Sequence, residues 1–225
     1  MKGPQNWMFT RRMAAGGIAS LGWMALGLQL YMSVENAAAL GLSIPGVVLS
    51  HLSFFTVLTN LAIAICLACA ACEPDEQCFC NWPGVQTALA LYILVVAIVY
   101  AAVLQGLWAP KGLEFLTERF FHLVMPLLYL CFWLFATPKG SLRLSDQIQW
   151  QIYPLAFMCY TLIRGAMVGT YPYPFLDVAQ YGYETVFMNS LVLLALFLTL
   201  GTFLIVTDWL LANLQIRWQG QYPAN

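Results

Sequence analysis

Charge is what this sequence most lacks. Of 225 residues only 8% are Asp, Glu, Lys or Arg, whereas 61% are hydrophobic and the mean hydropathy is +0.75. So few charges cannot keep the surface of a soluble domain in water, which excludes the ordinary soluble classes and points to a polytopic membrane protein. The formal net charge of -1 leaves no basic footprint, so nucleic acid is excluded as a partner. There is no Gly-rich phosphate loop, no His-Glu-x-x-His run and no Gly-x-Ser-x-Gly elbow, and no cofactor is implied. Long polar stretches are missing too, which leaves no room for a soluble domain between the apolar segments.

Cysteine, by contrast, is plentiful: Cys66, Cys69, Cys72, Cys78, Cys80, Cys131 and Cys159 lie mainly in or beside apolar runs. In such surroundings a free thiol behaves as a small hydrophobe. The Cys-x5-Cys-x-Cys spacing of Cys72, Cys78 and Cys80 fits no zinc pattern and has no evident fourth ligand, so no metal site is expected.

What is present is a series of long apolar runs. Six are long enough to cross a bilayer, at roughly residues 13–34, 52–72, 85–107, 120–137, 149–169 and 186–211. In lipid the backbone must satisfy its own hydrogen bonds, so each is read as a helix. The expected fold is all-α: one integral membrane domain over residues 1–225, a bundle of six transmembrane helices. The first run follows Arg11-Arg12, which invites a signal-peptide reading. Its length exceeds that of a signal core and matches a full span, so this helix is expected to stay in the protein.

Lys and Arg in the short connections set the expected orientation. With the N-terminus inside, Lys2, Arg11, Arg12, Lys139, Arg143 and Arg217 face the cytoplasm, and only Lys111 and Arg119 face outward. Both termini are then cytoplasmic, as in a bacterial inner-membrane protein. The acidic loop containing Glu73, Asp75 and Glu76 also falls inside, and acids weigh little in this rule.

That topology gathers the polar groups of several spans in one half of the membrane. Ser53, Thr56 and Asn60 form a stripe at i, i+3 and i+7 of the second span. The stripe suits either helix–helix hydrogen bonding or a nucleophilic Thr56 with Asn60 to orient it. His122, a histidine inside the fourth span, is the matching candidate base. Pro126, four residues on, frees the His122 carbonyl and predicts a kink. Arg164 places a full charge in the fifth span, either to grip a carboxylate or to pair with Asp177 or Glu184. The stiff Tyr171-Pro-Tyr-Pro-Phe turn that follows suits a lid or an interfacial anchor.

Three stretches, Phe54-Phe55-Thr56-Val57-Leu58-Thr59-Asn60, His122-Leu-Val-Met-Pro126 and Tyr171-Pro-Tyr-Pro-Phe-Leu-Asp177, are more specific as a set. With Trp133, Pro138-Lys139-Gly140, Tyr160 and Arg164-Gly165, they resemble the bacterial six-helix membrane proteins allied to the eukaryotic androgen-induced and androgen-dependent TFPI-regulating proteins. The eukaryotic members are threonine hydrolases acting on fatty acid esters of hydroxy fatty acids. The resemblance implies Thr56 as nucleophile and His122 as base, with Asn60, Arg164, Tyr171 and Asp177 orienting or binding substrate. It implies membrane lipids or fatty acid esters as the molecules met. This chain departs from the bacterial pattern in carrying Phe132 where relatives often have an acid. A transporter or lipid-binding protein without catalysis is the competing expectation, although residues 1–112 and 113–225 show no internal repeat of the kind transporters carry.

Overall fold

A computed structural model describes residues 4–73, 78–107 and 109–221, with side chains over 6–73, 78–107 and 109–214. Lys2, Asp75 and Glu76 lie outside the described residues. Every regular element among the described residues is helical.

The order is α1 (Pro4–Ala39), α2 (Ile44–His51), α3 (Phe55–Cys72), α4 (Pro83–Val99), α5 (Leu113–Arg119), α6 (Met125–Ala136), α7 (Asp146–Trp150), α8 (Ile152–Val168) and α9 (Val178–Gln221). Short 3-10 turns stand at Phe79–Asn81 and Pro174–Leu176, and α9 is interrupted at Gly182 (φ 74°, ψ 164°). Helix α4 runs on into a π-helical turn, Tyr100–Leu104, and a second π turn, Phe120–Val124, joins α5 to α6.

Five stretches are long and apolar enough to cross a membrane: Asn6–Ala39, Phe55–Cys72, Pro83–Leu104, Leu113–Ala136 and Val178–Leu214. They coincide with five of the six expected spans and are consistent with an integral membrane protein. The remaining run, 149–169, is divided between α7 and the 17-residue α8, and is not among these five.

The chain divides into two compact units, residues 1–82 with 92–136 and residues 83–91 with 137–225. In the first, α1 lies along α3 through small residues. Ala15, Ala19 and Ala64 are buried, and a side chain at Gly22 would run into the Met125 methyl at 2.6 Å and Ala64 at 3.4 Å. Close approach through small side chains is how apolar helices associate when no water drives them together. Around this seam Leu26, Val57, Ala64 and Phe121 form a buried cluster.

The arginine pair has a structural role here. Arg12 Nε donates to the Ala71 carbonyl at 2.8 Å, satisfying one of the orphan carbonyls at the end of α3. Arg11 Nη2 donates to Asn81 Oδ1 at 3.1 Å, and Asn81 Nδ2 donates to the Glu73 carbonyl at 2.7 Å. Two cations on α1 thereby hold the exit of α3 and the turn that follows it.

The second unit is tied by polar contacts at several levels. Thr137 Oγ1 donates to Gln86 Oε1 at 2.7 Å, and Gln147 Nε2 donates to Thr202 Oγ1 at 3.1 Å. The segment after α6 is clamped to α9, where the Gly140 amide donates to Asp208 Oδ2 at 2.8 Å and Trp209 Nε1 donates to the Leu142 carbonyl at 2.8 Å. Asp208 is 1% exposed. It is a buried carboxylate inside an apolar span that the sequence reading passed over.

Candidate functional site

Thr56 is the second residue of α3 and His122 stands in the middle of the π turn between α5 and α6. The first unit brings them together: Thr56 Oγ1 lies 3.5 Å from His122 Nε2. The other ring nitrogen, Nδ1, is 2.9 Å from the Glu118 carbonyl oxygen. A carbonyl only accepts, so Nδ1 carries the proton and Nε2 turns its lone pair toward the threonine hydroxyl. That is the tautomer a general base needs. A separation of 3.5 Å is longer than the roughly 2.6–3.2 Å of a proton in flight, as catalytic contacts without substrate commonly are.

The π turn explains how the histidine is aimed. A π turn widens the helix by one residue and shifts its hydrogen-bond ladder, and such bulges recur at functional positions. Here it sits directly before Met125-Pro126, whose proline has no amide hydrogen to return to the His122 carbonyl. Where a kink was expected, the structure has a π turn ending just before Met125-Pro126. The second π turn begins at Tyr100, whose ring lies face to face on the His122 imidazole, with centroids 4.0 Å apart and planes at 18°. The Tyr100 hydroxyl is in hydrogen-bonding reach of the Glu118 carboxylate. Glu118 thus serves the site twice, through its carbonyl on His122 and its carboxylate on Tyr100.

Tyr100 and Glu118 were missed by the sequence reading. Glu118 had a signal, since it precedes His122 by four residues on one helical face. Tyr100 had none beyond being a phenol at the end of an apolar run.

Asn60, fully buried one turn below Thr56, donates through Nδ2 to the Thr56 carbonyl at 2.8 Å. It steadies the threonine's backbone, and its Oδ1 is buried with no hydrogen-bond partner. Ser53 Oγ donates back to the Leu49 carbonyl at 2.7 Å. His51 closes the short helix α2, and burial holds its imidazole below the usual histidine value.

The other expected site residues belong to the second unit. Arg164 lies in the last turns of α8, half-buried, with an Nε that has no hydrogen-bond partner. Tyr171 packs its ring directly over Gly165, so closely that any side chain there would collide with it. Asp177 Oδ1 accepts the Gln180 amide at 3.1 Å, which caps the first turn of α9. The Tyr-Pro loop between them is firmly seated. Tyr173 stacks on Phe175 at 5.3 Å and meets Phe157 edge-on at 6.3 Å, while Asn189 Nδ2 donates to the Phe175 carbonyl at 2.9 Å. Among the described residues no group of three or more His, Cys, Asp or Glu side chains could hold a metal ion.

Fold and site define an all-helical protein of membrane-spanning character with a Thr–His pair in its first unit. No family model, no curated protein and no solved structure matches the chain.

Proposed function

We propose that this chain is an integral-membrane hydrolase of lipid esters, acting on fatty acid esters of hydroxy fatty acids, with Thr56 as nucleophile and His122 as base. The observation that carries the reading is the 3.5 Å approach of Thr56 Oγ1 to a His122 Nε2 left free to accept by the Nδ1 contact to Glu118. A threonine hydroxyl is inert at neutral pH without a base to take its proton, and here a base of the right tautomer faces it.

In the reaction, Nε2 takes the Thr56 proton as Oγ1 adds to the ester carbonyl. The tetrahedral intermediate collapses when His122 returns that proton to the departing alkoxide, releasing the hydroxy fatty acid and leaving an acyl-threonine. Water, deprotonated by the same nitrogen, then adds to the acyl carbon, and collapse frees the fatty acid and restores the Thr56 hydroxyl. Tyr100, stacked on the ring, offers its π face to the transient imidazolium. All of these groups belong to the first unit.

The family resemblance of the Thr56, His122–Pro126 and Tyr171–Asp177 stretches supports the same substrate class. The reading includes a sixth span made from residues 149–169 and a location in a bacterial inner membrane with both termini in the cytoplasm.

The test is purification in detergent and assay against a fatty acid ester of a hydroxy fatty acid. Wild type hydrolyses it, and Thr56→Ala and His122→Ala each lose about 100-fold or more in kcat/KM while melting as wild type does. Undiminished turnover by Thr56→Ala would remove Thr56 from the mechanism.

A further inference from the structure

Five of the seven cysteines fall within residues 66–80, and the fold draws them to the end of α3. Cys66 and Cys69 stand at i and i+3, on one face of that helix. Cys80, in the turn Phe79–Asn81, reaches back so that its thiol is hydrogen-bonded to both Cys66 and Cys69, with Cys78 close by. This approach does not rest on the sulfurs alone. Asn81, next in the chain to Cys80, is pinned by Arg11 from α1 and itself holds the Glu73 carbonyl at the end of α3. All of these cysteines are free thiols; Cys66, Cys69, Cys78 and Cys80 are half-buried and Cys72 is exposed.

We propose that Cys80 and the α3 thiols form a reversible dithiol–disulfide site, with Cys66 as the principal partner of Cys80 and Cys69 able to exchange into the bond. The Cys80 thiol is within hydrogen-bonding reach of the α3 thiols, and the partners come from two different elements.

The co-reactant is a small-molecule disulfide. The Cys80 thiolate attacks one of its sulfurs, forming a mixed disulfide and expelling one small thiolate. The Cys66 thiolate then attacks the Cys80 sulfur, forming the protein disulfide and expelling the second. Two protein thiols are oxidised, one small disulfide is reduced, and the two protein protons end on the two small thiols released. Excess small thiol runs the sequence backward. Burial, reinforced by the neighbouring Cys66 thiol, pushes the Cys80 thiol well above its ordinary value. The site therefore reacts slowly and stoichiometrically, as a switch does, and the bond staples the Phe79–Asn81 turn to α3.

The experiment uses the full-length protein in detergent, incubated with oxidised glutathione, alkylated and mapped by mass spectrometry without reduction. The expected product is a peptide pair joining Cys80 to Cys66 or to Cys69, lighter than the reduced peptides by one pair of hydrogens. Dithiothreitol reverses it, Cys80→Ser abolishes it and Cys78→Ser retains it. Cys80 and Cys66 recovered only as separate glutathionylated or alkylated peptides would overturn the proposal. So would a dominant cross-link that persists in Cys80→Ser, such as one between Cys72 and Cys78. Wild-type mapping alone decides the matter if Cys80→Ser does not fold, and none of these outcomes depends on ester hydrolysis.

Discussion

Tyr100 and His122 lie ring on ring, 4.0 Å between centroids, and each belongs to a π-helical turn. A helix in regular α register would direct these side chains one residue's rotation away, so the two wide turns and the stack belong together. The imidazole is fixed on its face by Tyr100, at one edge by the Glu118 carbonyl, and opens only its Nε2 edge to Thr56.

This arrangement separates the roles of the Tyr100 ring and hydroxyl. Tyr100→Phe keeps the stack and loses the contact to Glu118, so turnover falls by no more than a few-fold. Tyr100→Leu loses the stack, and an aromatic pair contributes about 0.5–1.5 kcal/mol beyond its buried area, which is up to about tenfold in rate. Steady-state kinetics on the proposed ester substrate measures both. A Leu variant as active as wild type would show that the stack does not position the base.

Gly165 is required by the ring above it. Gly165→Ala would place a methyl inside the Tyr171 ring, and overpacking of this kind costs about 1–3 kcal/mol. The variant should melt below wild type in detergent. Combining it with Tyr171→Ala should recover part of the loss, because the second change removes the colliding atoms. Additive losses in the double variant would contradict the collision.

Asn81 joins α1 to the end of α3. Asn81→Ala removes the acceptor for the buried Arg11 and the donor for the Glu73 carbonyl, and shorting the buried guanidinium of this acceptor costs about 1–3 kcal/mol. Asn81→Asp keeps the acceptor and should lose less. Thermal melts of the two variants beside wild type check the order, and equal stability of all three would mean the bridge adds nothing.

Lys139 supplies a pH signature. Burial lowers its ammonium from 10.5 to about 8, with Asp208 opposing the shift. Between these values the unfolded chain binds more protons at this side chain than the folded chain does. Raising the pH through this window therefore removes the cost of burying the charge, and stability rises. Below about pH 8 the cost is fully present. Subtracting the melting curve of Lys139→Met from that of wild type isolates this group, and the difference should shrink as pH climbs from 8 toward 10.5. A pH-independent difference would show that the ammonium is well solvated in the fold.

The five membrane-length helices among the described residues could be read from the sequence, because in lipid a long apolar run has only the helix in which to satisfy its own backbone. The stretch at 149–169 was less legible. Gln149, Gln151 and Pro154 interrupt its start, and the structure divides it between α7 and α8. Composition likewise gave no place to Asp208. Its burial is made tolerable by the Gly140 amide, 68 residues away in the chain.

Thr56, Asn60 and His122 were also visible in the sequence, since polar side chains stand out against apolar runs and helical spacing puts Thr56 and Asn60 on one stripe. The sequence alone thus determined the helical class, the membrane character and the candidate nucleophile and base. Only the tertiary structure decided that Thr56 and His122 face each other, which tautomer the imidazole takes, and that Tyr100 and Glu118 complete the site. The physical reason is one of range. Hydrophobicity and backbone hydrogen bonding act within a segment and are written in its residues. A contact across 66 residues depends on where α3 and two π turns come to rest against one another.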